Sequence, residues 1–368
     1  MQGIVDLFIS APQFLRDVVK KVYTESKYRR YNAKRASDRA GRLLRRRKWQ
    51  HKSKQVARRS VHQKVLSKNV DAPANFSFLK NPNEVSKFVA QLTQLHSERV
   101  SVFVDMSQVH EMDHSAVSLL MISIVSFKTE GISFKTNYPK DKGLAARLKN
   151  NIGSLYNKNF VEEDEYTVYD DFSYGVYAHA MKKVSAPLTA RVIGNCAEII
   201  WGERRRCQGV QSSLIELMHN TNNHANQDEI GRYHWWLSVM TDPHEQGKVS
   251  FVFLDFGIGI LASLDTKPKG NKWEPGWRKL KELLVSEASL LDKILAGELH
   301  RTVTGHSYRG KGLPHIAAAQ ERNQLGKLCV ISNRAYCNRE TGEVIQLRTP
   351  FSGTLVHWEV NKTHESCK

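Results

Sequence analysis

Between residues 16 and 68 the chain carries twenty lysines and arginines against three acidic residues, a local net charge of +17. The whole 368-residue chain carries +18, so everything else is close to neutral. A segment this basic cannot supply a hydrophobic core, and folding must be carried by the residues that follow it. Within it runs YRRYNAKRASDRAGRLLRRRKWQHKSKQVARRS. Pro12 and Gly41 are the helix breakers of the region, and its Ala, Arg, Lys and Gln content favours helix. Apolar residues are sparse (Leu15, Val18, Val19, Val22, Leu43, Leu44), which predicts one or two amphipathic helices over a basic arm, residues 1–68. Charge concentrated in one segment points to a polyanion, and DNA or RNA bound through residues 16–68 is the expected partner. Tyr28, Tyr31 and Trp49 lie among the arginines, where they either stack on bases or pack the arm down. The alternative is a solvated charged helix or an arm that docks on another protein.

Composition narrows the rest. Apolar residues make up 40% and aromatics 9%, which excludes a wholly disordered chain. The longest apolar stretch, 116–127, is broken by serines and is too short to span a bilayer, so no membrane partner is expected. The start, MQGIVDLFIS, has an acidic residue at Asp6 and no basic n-region, which argues against a secretory signal. The five cysteines are odd in number and none is in a C-x-x-C pair. Neither a disulfide framework nor a zinc ribbon is expected, and a reducing, cytoplasmic location fits.

Residues 69–187 read as a small α/β domain. NPNEVSKFVAQLTQL (81–95) places Val85, Phe88, Val89, Leu92 and Leu95 at helical spacing, with an Asn cap near Asn83. VSVFVDM (100–106) is a short buried strand. SAVSLLMISIVSFKTEG (115–131) is a buried helix ending at Gly131, and ISFKTNY (132–138) is another strand. The stretch VFVDMSQVHEMDHSAVSLLMISI (102–124) resembles the STAS fold of anti-anti-sigma factors. There a strand ends in an Asp and a Ser or Thr opens the next helix; Asp105 and Ser115 hold those places. In that family the hydroxyl is often phosphorylated. Ser115 read on its own is a helix N-terminal hydroxyl that caps amides, and this is the favoured reading. The acidic run VEEDEYTVYDDF (161–172) is a solvated loop or edge, or a surface on which the basic arm folds back.

Four segments of the C-terminal half, 188–368, converge on one chemistry. In SSLIELMHNTNNHA (212–225), Glu216, Asn220 and His224 are four apart, on one face of a helix whose flank is Leu214, Leu217 and Met218. In VSFVFLDFGIGIL (249–261) a buried strand ends in Asp255, followed by Gly257 and Gly259, a carboxylate beside a turn that lets a ligand reach the backbone. YRGKGLPHI (308–316) puts Gly310 and Gly312 before a helix whose N-terminus suits an anionic phosphate. In FSGTLVHWEV (351–360), Gly353 and Thr354 start a late strand.

The order and spacing of these four segments resemble the GHKL ATPase superfamily of gyrase, the heat-shock chaperones, MutL and the sensor kinases. The resemblance covers about residues 190–368 and implies an α+β sandwich binding ATP and Mg²⁺. It implies that Asn220 helps to hold the Mg²⁺ bridging the phosphates. Asp255 accepts from the adenine amino group, and Gly257 and Gly259 let the nucleotide lie against the backbone. Gly310, Lys311, Gly312 and Leu313 cap the phosphates, with Arg309 and Lys311 within reach of phosphate oxygens. Thr354 supports the base through Asp255 or a water, and residues 261–309, including a helix over 279–295, form an ATP lid.

Glu216 stands where the gyrase-like, MutL-like and anti-sigma kinase members carry a base that orients or deprotonates the attacking group. No histidine occurs in LTARVIGNCAEIIWGERRRCQGVQ (188–211), which argues against a phosphohistidine relay. The implied function is a Mg²⁺-dependent ATPase whose lid closure controls a protein partner, a second subunit or nucleic acid. The alternative is an anti-sigma-type serine kinase or switch acting on a STAS serine. His110 and His114 are four apart without the glutamate of a zinc hydrolase motif, and Trp235 and Trp236 are expected in a strand core.

Overall fold

The computed structural model describes residues 67–157, 165–169, 176–181, 184–224, 235–241, 247–255, 257–265, 274–283, 286–298 and 312–364. The helices expected in the basic arm, most of the acidic run, and Arg309, Gly310 and Lys311 lie outside these residues. The fold is mixed α/β; the described residues form a three-stranded parallel sheet, a two-stranded parallel pair and a six-stranded antiparallel sheet.

The first unit is a parallel three-stranded sheet in the order β1 (Lys68–Asp71), β3 (Val102–Asp105), β5 (Phe134–Thr136), with Val70 opposite Val104 and Val102 opposite Phe134. Parallel neighbours need crossovers, and helices α1 (Pro82–Ser97) and α2 (His114–Thr129) supply them. A two-residue parallel pair, β2 (Asn75–Phe76) with β4 (Glu111–Met112), and helix α3 (Lys142–Asn157) complete it. The apolar spacing of α1 holds, with Val85, Phe88, Leu92 and Leu95 buried. Its cap is Asn81 rather than Asn83, because Pro82 occupies the first turn; the Asn83 carboxamide accepts from the Arg348 amide at 2.9 Å instead. Asp105 is spent on its own loop. Its Oδ1 accepts from the Ser107 amide (2.8 Å) and from Asn137 Nδ2 (2.7 Å), bonds that lower its pKa.

The second sheet is antiparallel, in the order β10 (Gly326–Asn338), β11 (Glu343–Asn361), β9 (Lys248–Asp255), β8 (Trp235–Thr241), β7 (Val176–Met181), β6 (Glu165–Tyr169). Its central strands are buried on both faces, which is why they read as unbroken apolar runs rather than alternating ones. Trp235, Leu237, Val239, Phe251, Phe253 and Trp358 face a helical layer of α4 (Ala186–Trp201), α5 (Gln208–His224), α8 (Glu287–Leu295) and α9 (Gly312–Glu321). Trp236, Met240, Val252, Leu254, Ile331 and Leu355 share the other core, with residues of the parallel unit. The two expected tryptophans of the strand core are thus both buried, on opposite faces.

Residues Leu66–Lys368 form one compact unit. A division near residue 187 cuts a hydrogen-bonded sheet, since β7 pairs with β8 from Val176↔Met240 to Met181↔Trp235. The parallel unit and the sheet are also joined by side chains. Tyr336 donates to the Leu79 carbonyl (2.7 Å), and Phe78 packs on Phe351 with ring centroids 5.6 Å apart.

One further expectation changes. The helix predicted over 279–295 is two helices, α7 (Glu274–Leu283) and α8, because Ser286 caps α8 by accepting from the Ser289 amide (3.2 Å). Cys207 is disulfide-bonded, whereas Cys196, Cys329 and Cys337 are free and buried. No helix among the described residues is long and apolar enough to cross a membrane.

Candidate functional site

Helix α5 buries Val210, Ser213, Leu214, Leu217, Met218 and Thr221 against the sheet, the three-and-four spacing of a helix lying on a flat apolar surface. Glu216 and Asn220 occupy the flank of that stripe and are half-buried. Both therefore stand at the edge of the helical layer, where a side chain can meet a ligand without crossing the core. The side chain of His224 lies outside the described residues. Helix α5 packs directly on α9, whose first residue is Gly312. Leu313 packs into the core below, together with Ile316, Ala317 and Ala319, which anchors the start of α9 on the helical layer. Gly312 is thus placed at a helix N-terminus, the positive end of the helix dipole.

Asp255 ends β9 in the middle of the sheet. It is in register with Trp235 on one side and Thr354 on the other. The Gly257 amide donates to its Oδ1 at 2.9 Å. Burial pushes its carboxyl pKa up to about 6, against the opposing pull of that amide. The two glycines beside Asp255 differ in how much room they leave. A Cβ on Gly257 would come to 3.1 Å from Asp255 Oδ1, and one on Gly259, where φ is +87°, would come to 2.5 Å from Asn333 Oδ1.

Gly353 and Thr354 do not begin a strand; they lie inside the 19-residue β11. Gly353 has φ +88° and marks a bulge, where the β10 register slips from Ser332↔Thr354 to Asn333↔Phe351. Thr354 is buried, and its hydroxyl is 3.1 Å from Ser332 Oγ.

Asp255, Gly257, Gly259 and Thr354 are therefore brought together, while α5 and α9 pack on one another in the helical layer that covers this sheet. Two residues at this site, Ser332 and Asn333, carry no motif. The one hint in the sequence was an Asn inside an otherwise apolar strand, which signals a bulge as readily as a site.

Ser115 caps nothing. Asp113 caps α2, accepting from the Ala116 amide at 2.8 Å, and Ser115 Oγ lies 3.2 Å from His357 Nδ1 on β11 with no exposed surface. Next to it His114 bridges two strands, Nδ1 to Ser250 Oγ and Nε2 to Ser238 Oγ, each at 2.8 Å. Burial, with His357 and Arg147 nearby, holds the His114 pKa well below the usual imidazole range. Among the described residues, no three His, Cys, Asp or Glu side chains cluster as a metal site. Comparison with protein families, curated proteins and solved structures finds no match to this chain.

Proposed function

We propose that residues 188–368 bind ATP with Mg²⁺ and hydrolyse it, in the manner of the GHKL ATPases that the sequence resembles. The observation that carries this reading is the junction of Asp255, Thr354 and the Gly257–Gly259 turn at the end of a central strand, in a sheet covered by the helix that bears Glu216 and Asn220. The residues fit the group. Asp255 is a largely desolvated acceptor bonded by the Gly257 amide, and Gly257 and Gly259 bring no side chain of their own to the turn beside it.

Asp255 would accept from the exocyclic amino group of the base, with Thr354 completing the polar end of the pocket. The bare backbone at Gly257 and Gly259 would take the flat face of the base. The N-terminus of α9 would hold phosphate oxygens with backbone amides. Asn220 would supply a neutral oxygen toward the Mg²⁺, which neutralises phosphate charge when bound. Glu216, half-buried on the same helix, would orient the attacking water and take its proton. A serine kinase acting on Ser115 is less well supported, because that hydroxyl is fully buried against His357. In the same proposal, residues 16–68 bind nucleic acid through phosphates.

The test is calorimetric titration of the full chain with ATP and Mg²⁺, followed by release of inorganic phosphate with and without DNA or RNA. Saturable binding that is lost in Asp255→Asn supports the reading. A wild-type chain that binds no adenine nucleotide overturns it.

A further inference from the structure

We propose that Asn333 is a positioning residue, which with Ser332 clamps the Ile258–Ala262 stretch in the shape a nucleotide base requires. The proposal rests on the ATP-site reading above and concerns residues that none of its motifs contains.

The Gly257–Gly259 turn has an intrinsic weakness. Helix α6 (Ile260–Asp265) starts immediately after it, with the Ser263 amide bonded to the Gly259 carbonyl at 3.0 Å, so Gly259 holds the capping position. Gly259 has no side chain with which to cap, and none can be added while φ is +87° and Asn333 Oδ1 lies 2.5 Å from the Cβ position. The cap comes instead from a strand more than seventy residues away. Asn333 Oδ1 accepts from the Leu261 amide (3.0 Å) and the Ala262 amide (3.4 Å), while its Nδ2 donates to the Ile258 carbonyl (2.9 Å). Two backbone amides on one atom and a carbonyl on the other fix the orientation of the carboxamide. Ser332 Oγ accepts from the Ile260 amide at 2.8 Å. Two adjacent side chains thus hold four backbone groups of one five-residue stretch.

Their placement depends on the bulge in β10. In a regular strand, neighbouring side chains point to opposite faces. Here the register slips on both sides of Asn333, which sits at φ +54°, a left-handed conformation that Asn tolerates better than most residues. The bulge lets Ser332 and Asn333 both engage the same loop. Ser332 also reaches the base-binding end. Its single proton faces two oxygens that can only accept, the Gly353 carbonyl at 3.0 Å and Asn333 Oδ1 at 3.3 Å, so the Thr354 hydroxyl is the donor to Ser332 across 3.1 Å. The clamp therefore holds both the Gly257–Gly259 turn and the direction of the Thr354 hydroxyl, and it touches no ligand itself.

The experiment compares wild type, Asn333→Gly and Asn333→Asp in the full chain. Glycine removes the side chain while accepting the positive φ, and aspartate keeps an acceptor for the Leu261 and Ala262 amides. ATP affinity is measured by calorimetry, and amide hydrogen exchange is followed at Leu261 and Ala262. Asn333→Gly should bind ATP about 10- to 100-fold more weakly, since an unordered loop must be ordered on binding, and Asn333→Asp should recover most of that loss. Both amides should exchange faster in Asn333→Gly than in the other two proteins. Wild-type ATP affinity in Asn333→Gly, or an aspartate variant as weak as the glycine one, overturns the proposal. If wild type binds no ATP, the nucleotide reading fails and takes this ligand with it. The exchange data then judge the clamp alone, and equal exchange in all three proteins refutes it.

Discussion

Asp255→Asn should make the nucleotide-free protein more stable while abolishing ATP binding. Burial raises the Asp255 carboxyl from 3.8 to about 6, so at neutral pH the folded chain carries an ionised group in an unfavourable place. The shift of about two units corresponds to roughly 3 kcal/mol at about 1.4 kcal/mol per unit. The sign follows from linkage. A raised pKa means that the folded state binds the proton more tightly, so the contribution is favourable below pH 4 and is lost as pH rises through 6. Asparagine keeps an Oδ1 for the Gly257 amide and never ionises. Its advantage should be at most about 3 kcal/mol at pH 8, about 1.6 kcal/mol at pH 5 and about 0.5 kcal/mol at pH 4. Urea denaturation without nucleotide, at those three pH values, reads the difference directly. The adenine contact should be lost at the same time, because the amide presents a donor where the amino group needs an acceptor. Equal stability of the two proteins at pH 8, or a gap that does not narrow on acidification, would refute the claim that Asp255 is a desolvated carboxylate. Wild-type ATP affinity should also fall below pH 6 as the same group protonates.

The remaining predictions concern other parts of the chain. Glu216→Ala should bind ATP nearly as wild type does and turn over about 10²-fold more slowly, as measured by phosphate release; unchanged turnover removes Glu216 as the base. His114→Ala should destabilise the chain by about 2–4 kcal/mol in chemical denaturation, because the Ser238 and Ser250 hydroxyls lose their partner in a dry seam and a void remains. Since the folded pKa of His114 is depressed, its share of the stability is present above about pH 6.5 and is lost on acidification. The variant should therefore lose less stability than wild type between pH 7 and 5. Deleting residues 1–66 should remove nucleic-acid binding and leave ATP binding intact. If about six phosphates are neutralised, the full chain's affinity should fall about 10³-fold between 50 and 200 mM salt, and a salt-insensitive affinity points to protein docking instead.

Local pattern determined the elements of this chain. The unbroken run 249–254 announced a strand covered on both faces, the spacing of Leu214, Leu217 and Met218 announced an amphipathic helix, and glycines beside Asp255 announced a turn. These are statements about a residue and its near neighbours, and periodicity and sterics encode them within a few positions. Only the tertiary structure decided what each element meets. Ser115 looked like a helix cap because the nearest amides were its obvious partners; His357, which it meets instead, lies 242 residues away. Asn333 looked like an interruption in a strand until the slip of register brought it to Gly259, whose missing side chain it replaces as a cap. The parallel unit looked separable because its helices and strands alternate on their own, yet its α2 helix closes one face of a sheet built from strands on both sides of residue 187. Each of these outcomes depends on a partner distant in the chain, and no local periodicity carries that information.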